Sequence, residues 1–187
     1  MQKTSEKVAL FVPSLGGGGA ERVMVLLANG LVDAGYEVDL IVASSHGSHR
    51  NALSNRVRLL DLHKTRVITA LPGLISYLRR VKPRVLISAL DYANVVALLA
   101  ARLACVSTKL VVTEHSTLSI ASKKDFRGRG RLIPGLMKLT YPWADQILAV
   151  SSGVADDLAV QLGLKRAAIG VAYNPVITEQ LPELAGE

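Results

Sequence analysis

A run of four consecutive glycines constrains this chain more than any other feature. Its members are Gly16, Gly17, Gly18 and Gly19. The apolar segment 7–12 predicts a strand before the run, and apolar residues at helical spacing over 20–34 predict a helix after it. Four adjacent residues without Cβ allow a sharp turn and a close approach of the backbone to a ligand. Because the start of a helix favours an anion, the run predicts a turn that binds a phosphate or an anionic sugar.

Composition favours one well-packed domain. Half of the 187 residues are hydrophobic and only 4% are aromatic. This balance is typical of a parallel sheet buried on both faces, and it excludes a disordered chain. Cys105 is the only cysteine, so an intrachain disulfide is excluded and a reducing compartment is indicated. We find no signal-peptide pattern and no apolar stretch of membrane-spanning length, so we expect a cytoplasmic protein, or one peripheral on the inner face of the membrane.

Strand and helix patterns alternate along the chain, which predicts an α/β fold with a Rossmann-like, doubly wound parallel sheet. The predicted strands cover 7–12, 38–43, 57–62, 84–89, 109–113, 146–150 and 168–172. The predicted helices cover 20–34, 71–81, 91–104, 133–143 and 152–162. We assign 1–174 to this domain and 175–187 to a linker. Ligands of such sheets bind at the carboxyl ends of the strands, so the loops at that edge are the candidates for a site.

The glycine run does not match the motifs of common nucleotide cofactors. A dinucleotide site needs Gly-x-Gly-x-x-Gly, and counting from Gly16 the third glycine is replaced by Glu21. Asp39 lies within the second strand instead of closing it, and no Walker A lysine is present. No histidine or cysteine has metal-ligand spacing. We therefore expect neither a nicotinamide cofactor nor a metal.

Arg22 stands in the first turn of the predicted helix, where the helix dipole disfavours a cation. The position suits a side chain that pairs with Glu21, with another carboxylate or with a ligand phosphate. Alternatively, Glu21 only favours the helix start and Arg22 points into solvent. The residue types leave both interpretations open.

Three further segments at the carboxyl edge carry candidate polar residues. Glu114, His115 and Ser116 follow the fifth strand, and a histidine there can bind a hydroxyl or a phosphate, or be purely structural. Ser152 precedes acidic residues at a helix start, which fits either a helix cap or a ligand contact. Asp91, Tyr92 and Asn94 open another helix and fit an acceptor pocket, although Asp91 also fits a plain N-cap. The acceptor-side candidates are these three residues together with Glu21, Glu114 and Ser116.

The formal net charge is +7, and the basic residues cluster. One cluster, Arg79, Arg80 and Lys82, ends the predicted helix 71–81. The other consists of Lys123, Lys124, Arg127, Arg129 and Arg131. We hypothesise that both lie beside the acceptor cleft and guide an anionic lipid or polysaccharide precursor, the alternative being an ordinary surface helix with its apolar stripe in the core. Nucleic-acid binding is disfavoured, because there is no recognition motif and few aromatics for stacking.

Taken together, four segments resemble the N-terminal, acceptor-side domain of retaining GT-B glycosyltransferases of family 4. They are 12–22 (VPSLGGGGAER), 113–116 (TEHS), 149–158 (AVSSGVADDL) and 173–176 (YNPV). The resemblance implies two Rossmann-like domains facing across a cleft, the first binding mainly the acceptor and the second most of the nucleotide-sugar. It implies that the glycine turn, with Arg22 and Ser152, lies against the donor phosphates and sugar, that His115 lies near the transferred sugar, and that no metal is needed.

The function implied is transfer of a sugar from a nucleotide-sugar to a lipid-linked or polysaccharide precursor, with retention, in cell-envelope polysaccharide synthesis. The donor domain is expected in cis or as a separate subunit, and this domain alone is expected to be inactive as a hexosyltransferase. The alternative is a non-enzymatic Rossmann-type module that binds a nucleotide or a sugar phosphate.

Overall fold

One seven-stranded, all-parallel sheet forms the centre of the protein. The computed structural model describes residues 6–16, 18–119 and 132–174. The strands are β1 (Lys7–Val12), β2 (Glu37–Val42), β3 (Arg58–Asp61), β4 (Val85–Ala89), β5 (Lys109–Glu114), β6 (Gln146–Ala149) and β7 (Ile169–Val171). Their order across the sheet is β3-β2-β1-β4-β5-β6-β7. The predicted fold class and every predicted strand are confirmed, with bounds that differ by one residue or none.

Among the described residues, the α-helices that connect the strands are α1 (Gly19–Asp33), α2 (Leu71–Val81), α3 (Asp91–Ala104), α4 (Ile133–Thr140) and α5 (Ser152–Leu162). The predicted helix 133–143 is too long, because Tyr141–Trp143 forms a 3-10 turn. Pro142 lies in that turn, and a proline has no N–H for the next helical hydrogen bond. The loop predicted after β2 contains a short 3-10 helix, Ser48–Ala52.

The helices lie on opposite faces of the sheet because the strand order reverses between β1 and β4. Connections that run in opposite directions along a parallel sheet, each right-handed, pass over opposite faces. The core around α1 includes Met24 and Ala28 packed with Leu10 and Val12, whereas α2, α3, α4 and α5 share the core on the other face. The reversal places the loop after β1 beside the loop after β4, the position where doubly wound sheets bind ligands.

Asp39 stabilises the sheet from the middle of β2. Its carboxylate is buried, pairs with Arg58 and Lys7, and accepts a hydrogen bond of 2.7 Å from the Tyr77 hydroxyl of α2. These contacts tie β1, β2 and β3 to α2. Asp39 is paired with Ala9 in the middle of the strand. It is therefore not at the carboxyl edge of the sheet, where the acidic residue of a dinucleotide site binds the ribose.

Within the described residues, no helix combines the length and the apolarity needed to cross a bilayer. The described part of the chain ends at residue 174, so the predicted linker 175–187 lies outside it.

Candidate functional site

The turn after β1 is held by the loop after β2 through backbone hydrogen bonds. The N–H of Leu15 donates to the His46 carbonyl at 3.1 Å, and the N–H of His49 donates to the Leu15 carbonyl at 3.2 Å. The His49 ring contributes a third contact, from Nε2 to the Gly18 carbonyl at 3.2 Å. Because a carbonyl accepts, Nε2 of His49 carries the hydrogen. These bonds fix the path of the turn up to the start of α1.

Gly47 makes this contact possible, although its position in a polar loop predicts no role for it. Its φ is 139°, which L side chains rarely adopt. A Cβ there would overlap the carbonyl group of Leu15. A glycine in a polar loop is common, so only its contact with a residue 32 positions earlier shows that this one is required.

The described glycines of the run leave space and do not supply an unusual backbone. Gly16, Gly18 and Gly19 are absent from the residues with positive φ, and Gly18 has an ordinary extended φ of −78°. A Cβ on Gly19 would meet nothing within 4 Å, and one on Gly18 would overlap only the Glu21 carboxylate. Gly17 lies outside the described residues. The run therefore keeps the N-terminus of α1 open to a ligand.

A cavity of about 470 Å³ joins the glycine turn to the ends of β4 and β5. Its lining includes Gly18, Gly19, Glu21, Arg22, Leu90, His115 and Ser116. The structure therefore brings together the turn and the histidine that the sequence predicts for one site. The Arg22 side chain is exposed at this cavity, and no ion pair of Arg22 exists within the described residues. This arrangement leaves a cation and helix N–H groups facing the cavity.

Leu90 has strained backbone at the entrance to α3. Its φ is 77° and its ψ 136°, a combination that is costly for a residue with a branched side chain. Leu90 caps α3 through its carbonyl, which accepts from the Asn94 N–H at 2.8 Å. The predicted N-cap role of Asp91 is therefore wrong, since Asp91 is the first residue of the helix.

His115 has a defined tautomer. The Thr113 hydroxyl donates to the Ser88 carbonyl at 2.9 Å, so it has no second hydrogen for the His115 ring. Nε2 of His115, 3.2 Å from that hydroxyl oxygen, must therefore be the donor. Burial lowers the pKa of His115, which favours the neutral ring. Nδ1 is then an acceptor, and it is buried without a partner in the described part of the chain.

Glu114 belongs to a buried polar cluster and does not line the cavity. The Tyr141 hydroxyl donates to Glu114 Oε1, and the Asn94 amide donates to the same oxygen at 2.9 Å. The Asn94 amide also donates to the Thr113 carbonyl at 3.0 Å. Burial raises the pKa of Glu114 to about 7, because no cation among the described residues pairs with it. The predicted acceptor-side roles of Glu114 and Asn94 are therefore wrong: their polar atoms hold β5 to α3 and to the segment after α4.

The other acceptor-side candidates remain near the cavity. Tyr92 is 41% exposed, and burial of part of its ring together with the charges of Asp91 and Glu21 raises the pKa of its hydroxyl. The negative charges of α1 and α3 thus both act on Tyr92. Ser116 is exposed on the wall of the cavity. Glu21 and Ser116 thus line the cavity, and Asp91 and Tyr92 follow Leu90, which also lines it. The acceptor-side roles of these four residues stay predictions.

A second, apolar cavity of about 270 Å³ adjoins the first on the α1 face of the sheet. Val23, His115 and Asn174 line both cavities. Its walls come from α1 and from β4, β5 and β6, including Met24, Ile87, Val111 and Leu148. His115 therefore lies at the junction of a polar and an apolar space.

Ser152 and the basic cluster Arg79, Arg80 and Lys82 do not line the cavity. Ser151 caps α5 by accepting from the Val154 N–H at 3.2 Å, and exposed Ser152 is the first helical residue. The Arg79 guanidinium donates to the Leu103 carbonyl at 2.8 Å, at the end of α3. The cluster Arg79, Arg80 and Lys82 thus lies at the amino edge of the sheet, opposite His115. The hypothesis that this cluster borders the acceptor cleft is therefore wrong.

The apolar residues of α2 explain the position of that cluster. Leu74, Tyr77 and Leu78 are buried in the core, which matches the alternative of an ordinary surface helix. The second basic cluster, Lys123, Lys124, Arg127, Arg129 and Arg131, lies outside the described residues. Within the described residues, no three His, Cys, Asp or Glu side chains come together as a possible metal site. The expectation that no metal is needed stays a prediction.

Comparison with known proteins identifies the family of this fold and site. Residues 17–180 match Glycosyltransferase Family 4. The chain belongs to this family. The matched range begins inside the glycine run and includes α1, His115 and strands β2 to β7. Every residue that lines the two cavities lies within it.

Two curated relatives come from Campylobacter jejuni subsp. jejuni serotype O:2. One is named GalNAc-alpha-(1->4)-GalNAc-alpha-(1->3)-diNAcBac-PP-undecaprenol alpha-1,4-N-acetyl-D-galactosaminyltransferase; it is 30% identical over 179 residues, 90% of this chain and 46% of the relative. The other, N-acetylgalactosamine-N,N'-diacetylbacillosaminyl-diphospho-undecaprenol 4-alpha-N-acetylgalactosaminyltransferase, is 28% identical over 97% of this chain and 51% of its own length. The family-4 chain thus spans about half the length of these relatives.

The fold also matches solved structures. Anabaena Alr3699/HepE in complex with UDP-glucose superimposes with a TM-score of 0.68 at 17% identity, covering 90% of this chain and 43% of that one. The fold is the Rossmann-like half of a GT-B two-domain fold, as the glycine, TEHS and AVSSG segments predict.

Proposed function

We propose that this family-4 chain is the acceptor-binding half of a retaining glycosyltransferase. The observation that carries the proposal is the cavity of about 470 Å³, where the open N-terminus of α1, Arg22 and His115 meet at the reversal point of the sheet. The relatives are named N-acetylgalactosaminyltransferases that act on undecaprenol-linked glycans. We therefore propose transfer of a sugar from a nucleotide-sugar to a lipid-linked or polysaccharide precursor of the cell envelope.

The donor phosphates are proposed to lie against the glycine turn. Gly18 and Gly19 bring no Cβ within reach of a ligand on their open side, and the first N–H groups of α1 have no helical acceptor. A phosphate there gains the helix dipole and the unpaired charge of Arg22. No metal is required for this binding, because the positive charge comes from the protein.

His115 is proposed to recognise a hydroxyl of the transferred sugar. With Nε2 donating to Thr113, the neutral ring offers Nδ1 as an acceptor, and a sugar hydroxyl supplies the missing donor. The ring does not act as an acid in this role, since burial keeps it neutral. Groups that stabilise the leaving nucleotide belong to the partner domain, present in cis or as a separate subunit.

The acceptor is proposed to approach between α1 and α3. Glu21, Asp91, Tyr92 and Ser116 surround this approach and supply acceptors and donors for glycan hydroxyls. A lipid-linked acceptor places the protein on the inner face of the cytoplasmic membrane, as a peripheral protein.

Transfer assays on the natural protein that contains this chain test the proposal. We would measure transfer from UDP-N-acetylgalactosamine and from UDP-glucose to a short-chain, water-soluble lipid-diphosphate oligosaccharide. We expect His115→Ala to lower kcat/KM at least about tenfold, because a buried hydrogen bond to substrate is lost. Its free energy of unfolding should change by less than about 1 kcal/mol.

The matched control is His63→Ala, which removes an exposed histidine at the same edge of the sheet. The control should leave kcat/KM unchanged. An equal loss of activity and stability in His115→Ala would make His115 structural. Binding of both nucleotide-sugars without transfer to any acceptor would instead favour a non-enzymatic binding module.

A further inference from the structure

Helix α4, its N-cap residue and the turn after it expose a row of large apolar side chains. Leu132, Leu136, Leu139 and Trp143 are 67%, 38%, 61% and 38% exposed. We call these four residues the α4 stripe. They follow one another at intervals of three and four residues, the spacing of one helix face. The opposite face of the helix, with Met137 and Thr140, is buried against the core.

The α4 stripe is not explained by the packing of the domain. An amphipathic helix in a soluble protein normally presents charged residues to solvent. Here Lys138 is the charged residue of α4, and three leucines take the solvent positions. Helices α3 and α5 flank α4 in the same layer, so the stripe lies on the outer surface of that layer. Contiguous exposed apolar residues of this kind mark an interaction surface.

We propose that the α4 stripe is the face by which this protein binds an anionic lipid bilayer. This inference rests on the proposed function, since a lipid-linked acceptor must be met at a membrane. A convex row of leucines suits insertion between lipid headgroups better than it suits a pocket of a protein partner. Trp143 ends the row, and tryptophan prefers the boundary between headgroups and acyl chains.

Charge around the stripe is complementary to anionic lipid. Lys138 is exposed beside the leucines, and Arg102 shares a surface depression with Trp143. Asp145 lines the same depression, where its charge is paired with Lys109. By sequence alone, the ten residues before Leu132 contain five Lys or Arg and one Asp, and the chain carries +7 in total. Basic residues near an inserted apolar face strengthen binding to anionic lipid. The bilayer-binding face is therefore on α4 and not on α2, whose apolar residues are buried or half-buried against the core.

Trp143 reports the contact, because it is the only tryptophan among the 187 residues and the difference in emission between the parent and Trp143→Phe isolates its signal. We would add vesicles of phosphatidylglycerol and phosphatidylcholine to the natural protein that contains this chain. We expect sedimentation with anionic vesicles, a blue shift of Trp143 emission, and quenching by brominated acyl chains. Vesicles of phosphatidylcholine alone should bind more weakly, and salt should weaken binding to the anionic ones.

The decisive variant is Leu139→Glu, with Ile68→Glu as its matched control. The two residues are isomers with 61% and 56% exposure, and both changes add one negative charge. Ile68 lies ahead of α2, outside the stripe. We expect Leu139→Glu to weaken vesicle partitioning at least about tenfold and Ile68→Glu to weaken it only slightly. Both variants should retain transfer to the water-soluble acceptor.

Several outcomes would overturn the bilayer contact. Equal partitioning of the two variants would do so, as would sedimentation without a change in Trp143 emission, or no binding to anionic vesicles at low salt. A dimer in sedimentation equilibrium that Leu139→Glu converts to monomer would assign the stripe to a second copy. Failure of the proposed function looks different: no transfer to any acceptor, with vesicle binding and its dependence on Leu139 intact.

Discussion

The two sides of the candidate cavity are built by different means. The turn side, residues 14–16 and 18–22 with the loop 44–49, is held by backbone hydrogen bonds and by the close approach of Gly47 to Leu15. The strand side, at the ends of β4 and β5, is held by hydrogen bonds between the buried side chains of Asn94, Glu114 and Tyr141. The turn side therefore depends on space that is left free where glycines have no side chain. The strand side depends on the hydrogen-bond donors and acceptors of its buried side chains.

The difference separates the consequences of substitution. On the turn side, an added methyl group should lower the free energy of unfolding where it would overlap the backbone. It should have little effect where it would point into solvent. On the strand side, a change of size matters less than the loss of a donor or acceptor, because an unpaired buried polar group costs about 1–3 kcal/mol. The two sides of the cavity can therefore be tested by separate substitutions.

The largest effect is expected at Gly47. In Gly47→Ala the new Cβ must displace the Leu15 carbonyl, and a φ of 139° is itself strained for alanine. We expect the free energy of unfolding to fall by at least about 3 kcal/mol, measured by urea denaturation. Gly35→Ala is the control: its φ is also positive, but the added Cβ meets nothing within 4 Å. The control should cost only about 1 kcal/mol.

Equal losses in the two glycine variants would break the contrast. They would mean that backbone strain alone, and not the contact between the two loops, makes Gly47 necessary. The turn side would then lack its support from the loop after β2.

A smaller, pH-dependent effect is expected at Glu114. Burial raises its pKa from 4.5 to about 7, so between these pH values the folded protein holds a proton that the unfolded chain has released. The free energy of unfolding therefore falls as pH rises through this window, by an amount on the order of 3 kcal/mol. Glu114→Gln keeps the shape and cannot ionise, so it should lack this fall and be more stable than the parent at about pH 8.

Urea denaturation of parent and variant at about pH 5 and about pH 8 measures this difference. His115 contributes the opposite slope, since its lowered pKa costs stability as pH falls below 6.5. Taking the difference between variant and parent removes that contribution. A Glu114→Gln profile parallel to the parent's would show that Glu114 stays ionised, and the strand side would not depend on a buried acid.

The sequence predicts the fold well because each strand and helix is signalled locally. Buried parallel strands read as short runs of Val, Ile and Leu, and α1, α2, α3 and α5 have clear helical spacing. The turn and His115 are predicted for the same reason: each directly follows a strand whose end is identifiable, and the carboxyl ends of parallel strands meet at one edge.

The roles of Asn94 and Glu114 could not be predicted in the same way. Both stand at the correct edge, and the sequence does not show whether a polar side chain there turns toward the cavity or the core. The answer depends on Tyr141, 27 residues beyond Glu114, whose hydroxyl supplies the buried partner. Gly47 was missed for a similar reason, because its partner Leu15 belongs to another loop.

The smallest effect on stability is expected at Gly18, although its effect on binding should be large. Gly18 is the N-cap of α1 with φ −78° and ψ 155°, a conformation that threonine adopts readily, and the two residues are about equal as N-caps. Its Cβ would meet only the flexible Glu21 carboxylate. Gly18→Thr should therefore change the free energy of unfolding by less than about 0.5 kcal/mol.

If a phosphate occupies the space above the turn, the same change should weaken binding of UDP-N-acetylgalactosamine at least about tenfold, measured by titration calorimetry on the natural protein. Gly30→Ala, on the exposed side of the same helix, is the control and should leave binding unchanged while raising stability slightly. A Gly18→Thr protein that binds as tightly as the parent would mean that the ligand does not use this clearance. A Gly18→Thr protein with a clearly lower free energy of unfolding would mean that the absence of a side chain at Gly18 is needed for folding. The turn side would then not be a space that is kept open only for a ligand.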